Sequence, residues 1–551
     1  MMDFARQFQL LTGNTPFPWQ SSLFQRFVQA DIPPSCCIPT GLGKTNVIAI
    51  WLIALAHGLP VPRRLVYVVN RRTVVDQTTE EAKQLRDHAP QIGIHDLAIS
   101  TLRGQYADNQ EWSENPSRPA IIRGPVDMIG SRLLFIGYGI GMKGRPLHAG
   151  FLGQDVLLIH DEAHLEPAFQ DLIEKIQEEQ QREKAVPWPK LQLMELTATS
   201  RGQGEPFTLT PEDNVDETVS QRINAVKKLH LEPLRDPKKL AEQIKEKART
   251  FESKPCTVLI FARTVEDVRK IAEKLPSSRV LTLTGTMRGQ ERDQLVEQPL
   301  FKRFLPGGSH DGECTWLVCT SAGEVGVNIS ADHLVCDLST FDSMAQRFGR
   351  VNRFGKRNDT EIHVIHPTAF DQEKPLETRR AKTLYLLQQL NGDASPSALG
   401  QLDSKERQEA FALLPTILPV TDMLFDAWSL TTIQGKLPGR PSVEPYLHGI
   451  TDDPLIPETQ VAWRKEVEVL KSEELLGKYP PADLLEVYPL KPHELLKEPS
   501  YRVIKQLEVL AKRLDKSPPN VWLLDDTGEV EVVQLKDLIG KDNKNRIQWK
   551  T

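Results

Sequence analysis

The string CIPTGLGKT at 37–45 constrains this chain more than any other feature of it. It stands between a short apolar run and the strongly apolar NVIAIWLIALA, as a turn stands between a buried strand and a helix. Backbone N–H groups converge on a phosphate only where side chains are out of the way, and Gly41 and Gly43 meet that need. Thr40 completes the cradle, Lys44 is placed to reach β- and γ-phosphates, and the Thr45 hydroxyl is placed to ligate magnesium. The first position of the usual GxxxxGK[ST] pattern is Ile38, a mild departure because the cradle itself runs from Thr40 to Thr45.

A second string, VLLIHDEAH at 156–164, argues against a chance glycine-rich turn. Two adjacent carboxylates at a strand end are costly unless a cation or a proton neutralises them. Asp161 is expected to hold the magnesium through water, Glu162 to orient and deprotonate the attacking water, and His164 to belong to the nucleotide pocket. His160, alternating with the site-facing residues, reads as a packing residue. Upstream, FPWQ sets Gln20 after Phe17 and Trp19; a carboxamide pairs adenine N6 and N7, and an aromatic ring such as Phe17 stacks on the base. ATP and Mg2+ are the expected cofactors.

The 551 residues suggest about three or four domains. Residues 1–205 alternate short β-branched runs with helical stretches: SCCIPTGLGKT, RLVYVVN, PAIIRG, DVLLIHDEAH and LQLMELTAT each read as a buried strand ending in polar residues. A turn-rich stretch follows, and CTVLIFART, RVLTLTGT, TWLVCTSA, HLVCDLS and EIHVIHP repeat the rhythm. The fold class expected is α/β, with two tandem RecA-like P-loop lobes, parallel sheets flanked by helices, at 1–205 and 206–370. A mainly helical C-terminal accessory region is expected at 371–551, with short strands in NVWLLDDTGEVEVVQL.

The second lobe should supply arginines. AQRFGRVNRFG at 345–355 spaces Arg350 and Arg353 to share one helix face, with Gln346 a turn earlier. Guanidinium groups aimed at a γ-phosphate stabilise the charge of its transfer. Before them, CTSAGEVGVNIS brings Gly323, Glu324, Gly326 and Asn328 into a tight turn, of which Gly326 and Asn328 are assigned to the nucleotide. Thr197, Ala198 and Thr199 close a strand soon after the acidic pair and are placed to link hydrolysis to lobe position.

The net charge of -6 excludes a protein that coats nucleic acid non-specifically, but not one with a local basic track. Candidates for such a track follow strand ends: Asn70, Arg71, Arg103, Gly104 and Arg132 in the first lobe, and Arg263, Thr284, Arg288 and Thr320 in the second. Six cysteines without CxxC spacing fit buried thiols in a reducing compartment. No signal peptide is evident, and the most apolar window, 47–56, is too short to span a bilayer, so the expected location is the cytoplasm.

FPWQ, PTGLGKT, DEAH, TAT, VLIFART, CTSAGEVGVNI and QRFGRVNRFG stand in the order of superfamily-two helicases. With TLRGQ, GPVDMIGSRLLFIGYG and LTGTMRGQERD, the chain resembles the helicase component of type I CRISPR interference. DMLFDAWSLTTI and PSVEPYLHGITDDPLIPETQVAWR are similar to the subtype whose nuclease follows the helicase. The resemblance implies an ATP- and magnesium-dependent helicase that reels single-stranded DNA, 3′ to 5′, and is recruited by the Cascade surveillance complex. Departures from the family pattern are Ile38, Pro125 where Thr is common, and Asn328 where Asp is common. The family's HD nuclease needs a His, a later His-Asp pair and a distant Asp. His95-Asp96 and His160-Asp161 sit in the first lobe, and beyond 371 only His448 and His493 occur, neither before Asp. No nuclease site is therefore expected in this chain, and a downstream domain or a separate protein would supply it. Two other readings stay open: a DNA-repair or RNA helicase of the same superfamily, and an ATP-clamped binding scaffold without turnover.

Overall fold

The structure, a computed structural model, describes residues 3–69, 82–103, 106–107, 111–137, 143–183, 189–197, 205–308, 312–324, 328–432, 440–450, 458–488, 490, 494–514, 519–524, 530–541 and 547–549. The first sheet contains β1 (Ser35–Cys37), β2 (Arg64–Val69), β3 (Ala98–Arg103), β4 (Tyr106–Ala107), β5 (Ala120–Pro125), β6 (Val156–Asp161), β7 (Leu191–Thr197) and β8 (Phe207–Thr208). Their spatial order is β4-β3-β5-β2-β6-β7-β1-β8, parallel throughout except for β4 against β3. The apolar runs make this arrangement possible, because strands covered by helices on both faces bury every residue. In β2 all six positions are buried. Leu65, Tyr67 and Val69 enter the core on one face, and Val66 and Val68 enter the core on the other.

The second sheet contains β9 (Lys228–Leu234), β10 (Thr257–Phe261), β11 (Val280–Leu283), β12 (Thr315–Cys319), β13 (His333–Asp337) and β14 (Glu361–Pro367). Its order is β11-β12-β10-β13-β14-β9, all parallel. All ten strands expected from the sequence are present. Four more, β3, β4, β8 and β9, complete the two sheets; β4 and β8 are two residues each, and β3 and β9 carry polar residues that break the apolar pattern, KLHLEPL above all. The helix Val47–Ala56 is buried from Val47 to Ala54, a core helix rather than a membrane segment. No helix among the described residues is long and apolar enough to cross a membrane. All six cysteines are free thiols, five of them buried.

Residues 1–284 and 298–451 form one compact unit. Within it, the helix Pro375–Gln389 is tied to the second sheet by Arg380, whose Nε donates to the Leu338 carbonyl at 3.0 Å. Trp428, Val443 and Leu447 are buried in the core on one face of the first sheet. Gly130 lets Leu447 come this close, since a Cβ there would lie 2.3 Å from its Cδ2. His448 ends this segment between two carboxylates, 2.6 Å from Asp127 Oδ1 and 3.2 Å from Glu166 Oε2, which push its pKa up to about 10.

The other unit comprises 285–297 and 452–551. Its described residues contain three antiparallel pairs, one of them Asn520–Leu524 with Val530–Gln534 as the sequence suggested, and the helix Ser500–Arg513.

Candidate nucleotide site

Register brings the motif ends of the first sheet to one edge. Cys37 lies opposite Thr197, and Asp161 opposite Leu196, so the phosphate loop, the acidic pair and the TAT strand emerge side by side. In open α/β sheets, ligands bind beyond the carboxyl ends of the strands. Gly41 and Gly43 take φ of 91° and 74°, conformations that L side chains rarely adopt. Lys44–Asn46 then makes a single 3₁₀ turn before the helix Val47–Ala56. The loop is braced from below, where Trp19 Nε1 donates to the Leu42 carbonyl at 3.2 Å.

Glu162 adopts φ 53°, ψ 45°, a left-handed conformation that costs a non-glycine residue of order 1–3 kcal/mol and clusters at functional sites. Its N–H donates to the Leu196 carbonyl at 2.7 Å, which fixes the turn to β7. Its side chain then meets Lys44 Nζ at 3.4 Å, His164 Nδ1 at 3.5 Å and the Gln346 amide, which donates at 3.1 Å. Burial alone would raise its pKa; Lys44, His164 and Arg350 outweigh that and hold it below the ordinary carboxylate range. Burial pushes Asp161 the other way, up to about 6, with Glu162 adding to the rise. A divalent cation would relieve that cost, and the Asp161 carboxylate and Thr45 hydroxyl are the hard oxygen donors that magnesium takes. The Tyr67 hydroxyl donates to Asp161 Oδ2 at 2.9 Å, and His164 Nδ1 lies 3.2 Å from Thr197 Oγ1.

The second lobe meets this edge directly. A Cβ on Gly41 would stand 3.1 Å from Arg353 Cγ, and one on Gly349 would stand 2.6 Å from Thr40 Oγ1. Arg350 Nε donates to the Glu324 carbonyl at 2.8 Å, while Arg353 donates to Asn328 Oδ1. Arg350 is close enough to Glu162 and Asp161 that their charges offset part of the lowering that burial imposes on it. Arg347, the third arginine, is a structural anchor. It is buried against Glu324 Oε1 at 2.8 Å and Asp337 Oδ1 at 3.0 Å, and these acids overcome burial and raise its pKa.

Three expectations need correction. The arginines do not share a helix face, because the helix Phe341–Phe348 stops at Gly349 and Asn352 takes φ 42°. A turn aims Arg350 and Arg353 instead. Gln20 is fully buried, and its carboxamide serves the chain itself, accepting from the Phe17 N–H at 2.9 Å and donating to the Gly43 carbonyl at 3.3 Å. It acts here as a strut under the phosphate loop, with one N–H and one oxygen lone pair engaged by the chain itself. Arg132 is 2% exposed, its guanidinium donating to the Met128 carbonyl at 2.9 Å, because its helix Val126–Leu133 lies inside the core.

Of the other track candidates, Arg263, Thr284 and Thr320 come together beyond three adjacent strands, β10, β11 and β12. Thr320 N donates to the Leu283 carbonyl at 3.1 Å, and Arg263 Nε lies 3.6 Å from Asp337 Oδ2. Arg288 belongs to the smaller unit, where it pairs with Glu291 at 2.7 Å and covers the Trp463 ring at 5.7 Å. Arg103 ends β3. Asn70, Arg71, Gly104, Ala198, Thr199, Gly326 and His493 lie outside the described residues.

Two residues at the site gave no signal in the sequence. Tyr67 is one aromatic in a buried strand, and Arg222 sits on the polar helix Glu217–Ile223. Arg222 covers the Phe17 ring at 5.1 Å and the Phe354 ring at 5.0 Å, and donates to the Gly41 carbonyl at 2.6 Å. His160, as expected, is packed against Phe169 and lies 2.8 Å from Gln170 Oε1. Asp96, of the His95-Asp96 pair, is bridged to Arg118 at 3.1 Å.

The model of the DEAD/DEAH box helicase family matches residues 17–204, and that of the CRISPR-associated nuclease/helicase Cas3, C-terminal, matches 254–356. Together the two matches and the order of the motifs support a Cas3-type superfamily-two helicase. Both matches fall on the sheets whose edges form the site, and the two sheets are tandem RecA-like lobes. Among solved structures, T. fusca Cas3 has the same fold, with 17% identity, a TM-score of 0.53 and coverage of 74% of this chain and 53% of that one. T. fusca Cas3 with ADP gives 16%, 0.54, 75% and 53%, and with AMPPNP 15%, 0.51, 72% and 53%. The chain thus spans about half the length of those Cas3 chains. No curated protein matches it.

Proposed function

We propose that this Cas3-type helicase is an ATP-driven translocase on single-stranded DNA that acts in type I CRISPR interference, against invading DNA in the cytoplasm. One observation carries the enzymatic part: Gln346 of the second lobe donates to Glu162 of the first at 3.1 Å, beside the Lys44 pair. The ADP and AMPPNP complexes of T. fusca Cas3 support the choice of an adenine nucleotide.

Magnesium held by Thr45 and Asp161 would offset phosphate charge during transfer. The N–H groups of 41–45 and the Lys44 ammonium bind the phosphates. Glu162, kept ionised by Lys44, His164 and Arg350, takes the proton of the attacking water. Gln346 fixes the second Glu162 oxygen, and Arg350 and Arg353 face the charge that develops at the γ-phosphate. Because these side chains come from two lobes, closing the cleft completes the site and product release reopens it. A strand gripped at the edge carrying Arg263, Thr284 and Thr320 is advanced by that cycle. Cascade would load the enzyme, and a nuclease on a further domain or a separate protein would cut the DNA.

Steady-state ATP hydrolysis with single-stranded DNA, or RNA of equal length, tests this reading. Strong stimulation by DNA is expected. Preference for RNA would move the chain to another helicase branch, and hydrolysis at background with DNA and magnesium would make it a scaffold.

A further inference from the structure

Strands β9 and β14 carry a cluster that the nucleotide reading leaves unused. They run parallel at the edge of the second sheet, with His230 directly opposite His363. Side chains two residues apart share a face, so Glu232 and Glu361 lie on the same face as the two histidines. The imidazole rings are stacked, 4.7 Å between centroids and 14° between planes. Phe251 packs edge-on against the buried His363 ring at 5.9 Å. Donor atoms of His230, Glu361 and His363 all lie within 4.8 Å of one another.

Both ring nitrogens of His363 face carboxylates: Nδ1 is 2.7 Å from Glu232 Oε1 and Nε2 is 3.1 Å from Glu361 Oε2. A neutral imidazole has one N–H and one lone pair. Whichever nitrogen carries the proton, the other turns its lone pair on a carboxylate oxygen. That contact needs a second proton or a metal cation. Glu232 is already held by Lys247 Nζ at 2.8 Å. It is therefore placed as the carboxylate that accepts from Nδ1–H and orients the ring, the arrangement that surrounds metal-bound histidines. On the opposite side, Nε2, Glu361 and His230 offer two imidazoles and one carboxylate, donors that suit zinc and its neighbours. The 3.1 Å between Nε2 and Oε2 is a few tenths of an ångström short of the edge, about 3.4 Å, of a tetrahedron with bonds of about 2.1 Å. The stacked rings do not aim their in-plane lone pairs at one point, so His230, which is exposed, would turn out of the stack to complete the site, and its exposure gives an ion its way in.

We propose that His230, Glu361 and His363 form a site for one divalent transition-metal ion of the zinc class, which staples the edge strand β9 to β14. The test is calorimetric titration of Zn2+ into the full chain after chelator treatment, repeated for His230→Ala and Glu361→Gln. The wild type should bind one more Zn2+ per chain than either variant, whose affinity at this site falls roughly a hundredfold or more. Co2+ should give the intense visible bands of a tetrahedral site in the wild type alone. Zn2+ should also raise the Tm of the wild type but not of the variants. His230→Ala alters an exposed side chain, and an unchanged metal-free Tm checks its fold. Equal Zn2+ uptake by all three proteins, or none by any, would overturn the proposal and leave His363 an imidazolium between two carboxylates.

Discussion

The two faces that meet at the nucleotide site are built by different means. The first-lobe face is shaped by backbone: Gly41, Gly43 and Glu162 all hold positive φ, at 91°, 74° and 53°. The second-lobe face is shaped by side chains, with Glu324 accepting from Ser343 and Arg347 through its carboxylate and from Arg350 through its carbonyl. A backbone-made cradle tolerates few residue types, so it leaves a string in the sequence. A side-chain scaffold draws its partners from distant positions, and only part of it is visible before folding.

The comparison predicts effects of different size on the two faces. Arg350→Ala removes a guanidinium without disturbing the cradle. It should lower strand-stimulated kcat by about 10³-fold while ATP still binds, measured by steady-state hydrolysis beside nucleotide titration. An equal loss of ATP affinity would mean that Arg350 serves binding instead. Glu162→Gln keeps shape and hydrogen bonding but not basicity, and turnover should slow by about 10²-fold with binding spared. Turnover equal to wild type would remove Glu162 from the proton's path.

The order of these effects follows what the sequence made legible. PTGLGKT and DEAH needed no partner from afar to be recognised, and every strand rich in β-branched residues was found. β9 was not, because KLHLEPL spends alternate positions on polar groups that pair with β14. Arg132 looked like a track residue because its charge hid the apolar positions around it, and Gln20 because a carboxamide suits a base and a backbone equally. Arg353 does lie against the loop and Arg350 near the acidic pair, but a turn after Gly349 puts them there and not the shared helix face that their spacing suggested. Arg222 and Tyr67 were invisible because their partners, Gly41 and Asp161, are 181 and 94 residues away.

A smaller effect sharpens the contrast. Asp161 is raised to about 6 in the folded chain, so between roughly pH 4 and 6 the native state holds a proton that the unfolded state releases. Stability from this group is present at acid pH and falls as pH rises through that window. Asp161→Asn should therefore raise Tm at pH 7.5 without magnesium by roughly 2–4 °C, read by calorimetry. A lowered Tm would show that the carboxylate is structurally useful there. On the other face, Glu324→Gln should do the reverse and destabilise the protein, since it weakens the buried partner of Arg347.

A double-mutant cycle on kcat across the cleft, with Glu162→Gln and Gln346→Ala, tests the central claim most directly. If the lobes share one site, Gln346 acts through Glu162. Gln346→Ala alone should then cost about tenfold, the scale of one hydrogen bond to a charged group. The double variant should stay within about twofold of Glu162→Gln alone, because Gln346 then has no base left to orient. Losses that multiply independently would mean that the two side chains serve separate events, and the shared site would be contradicted.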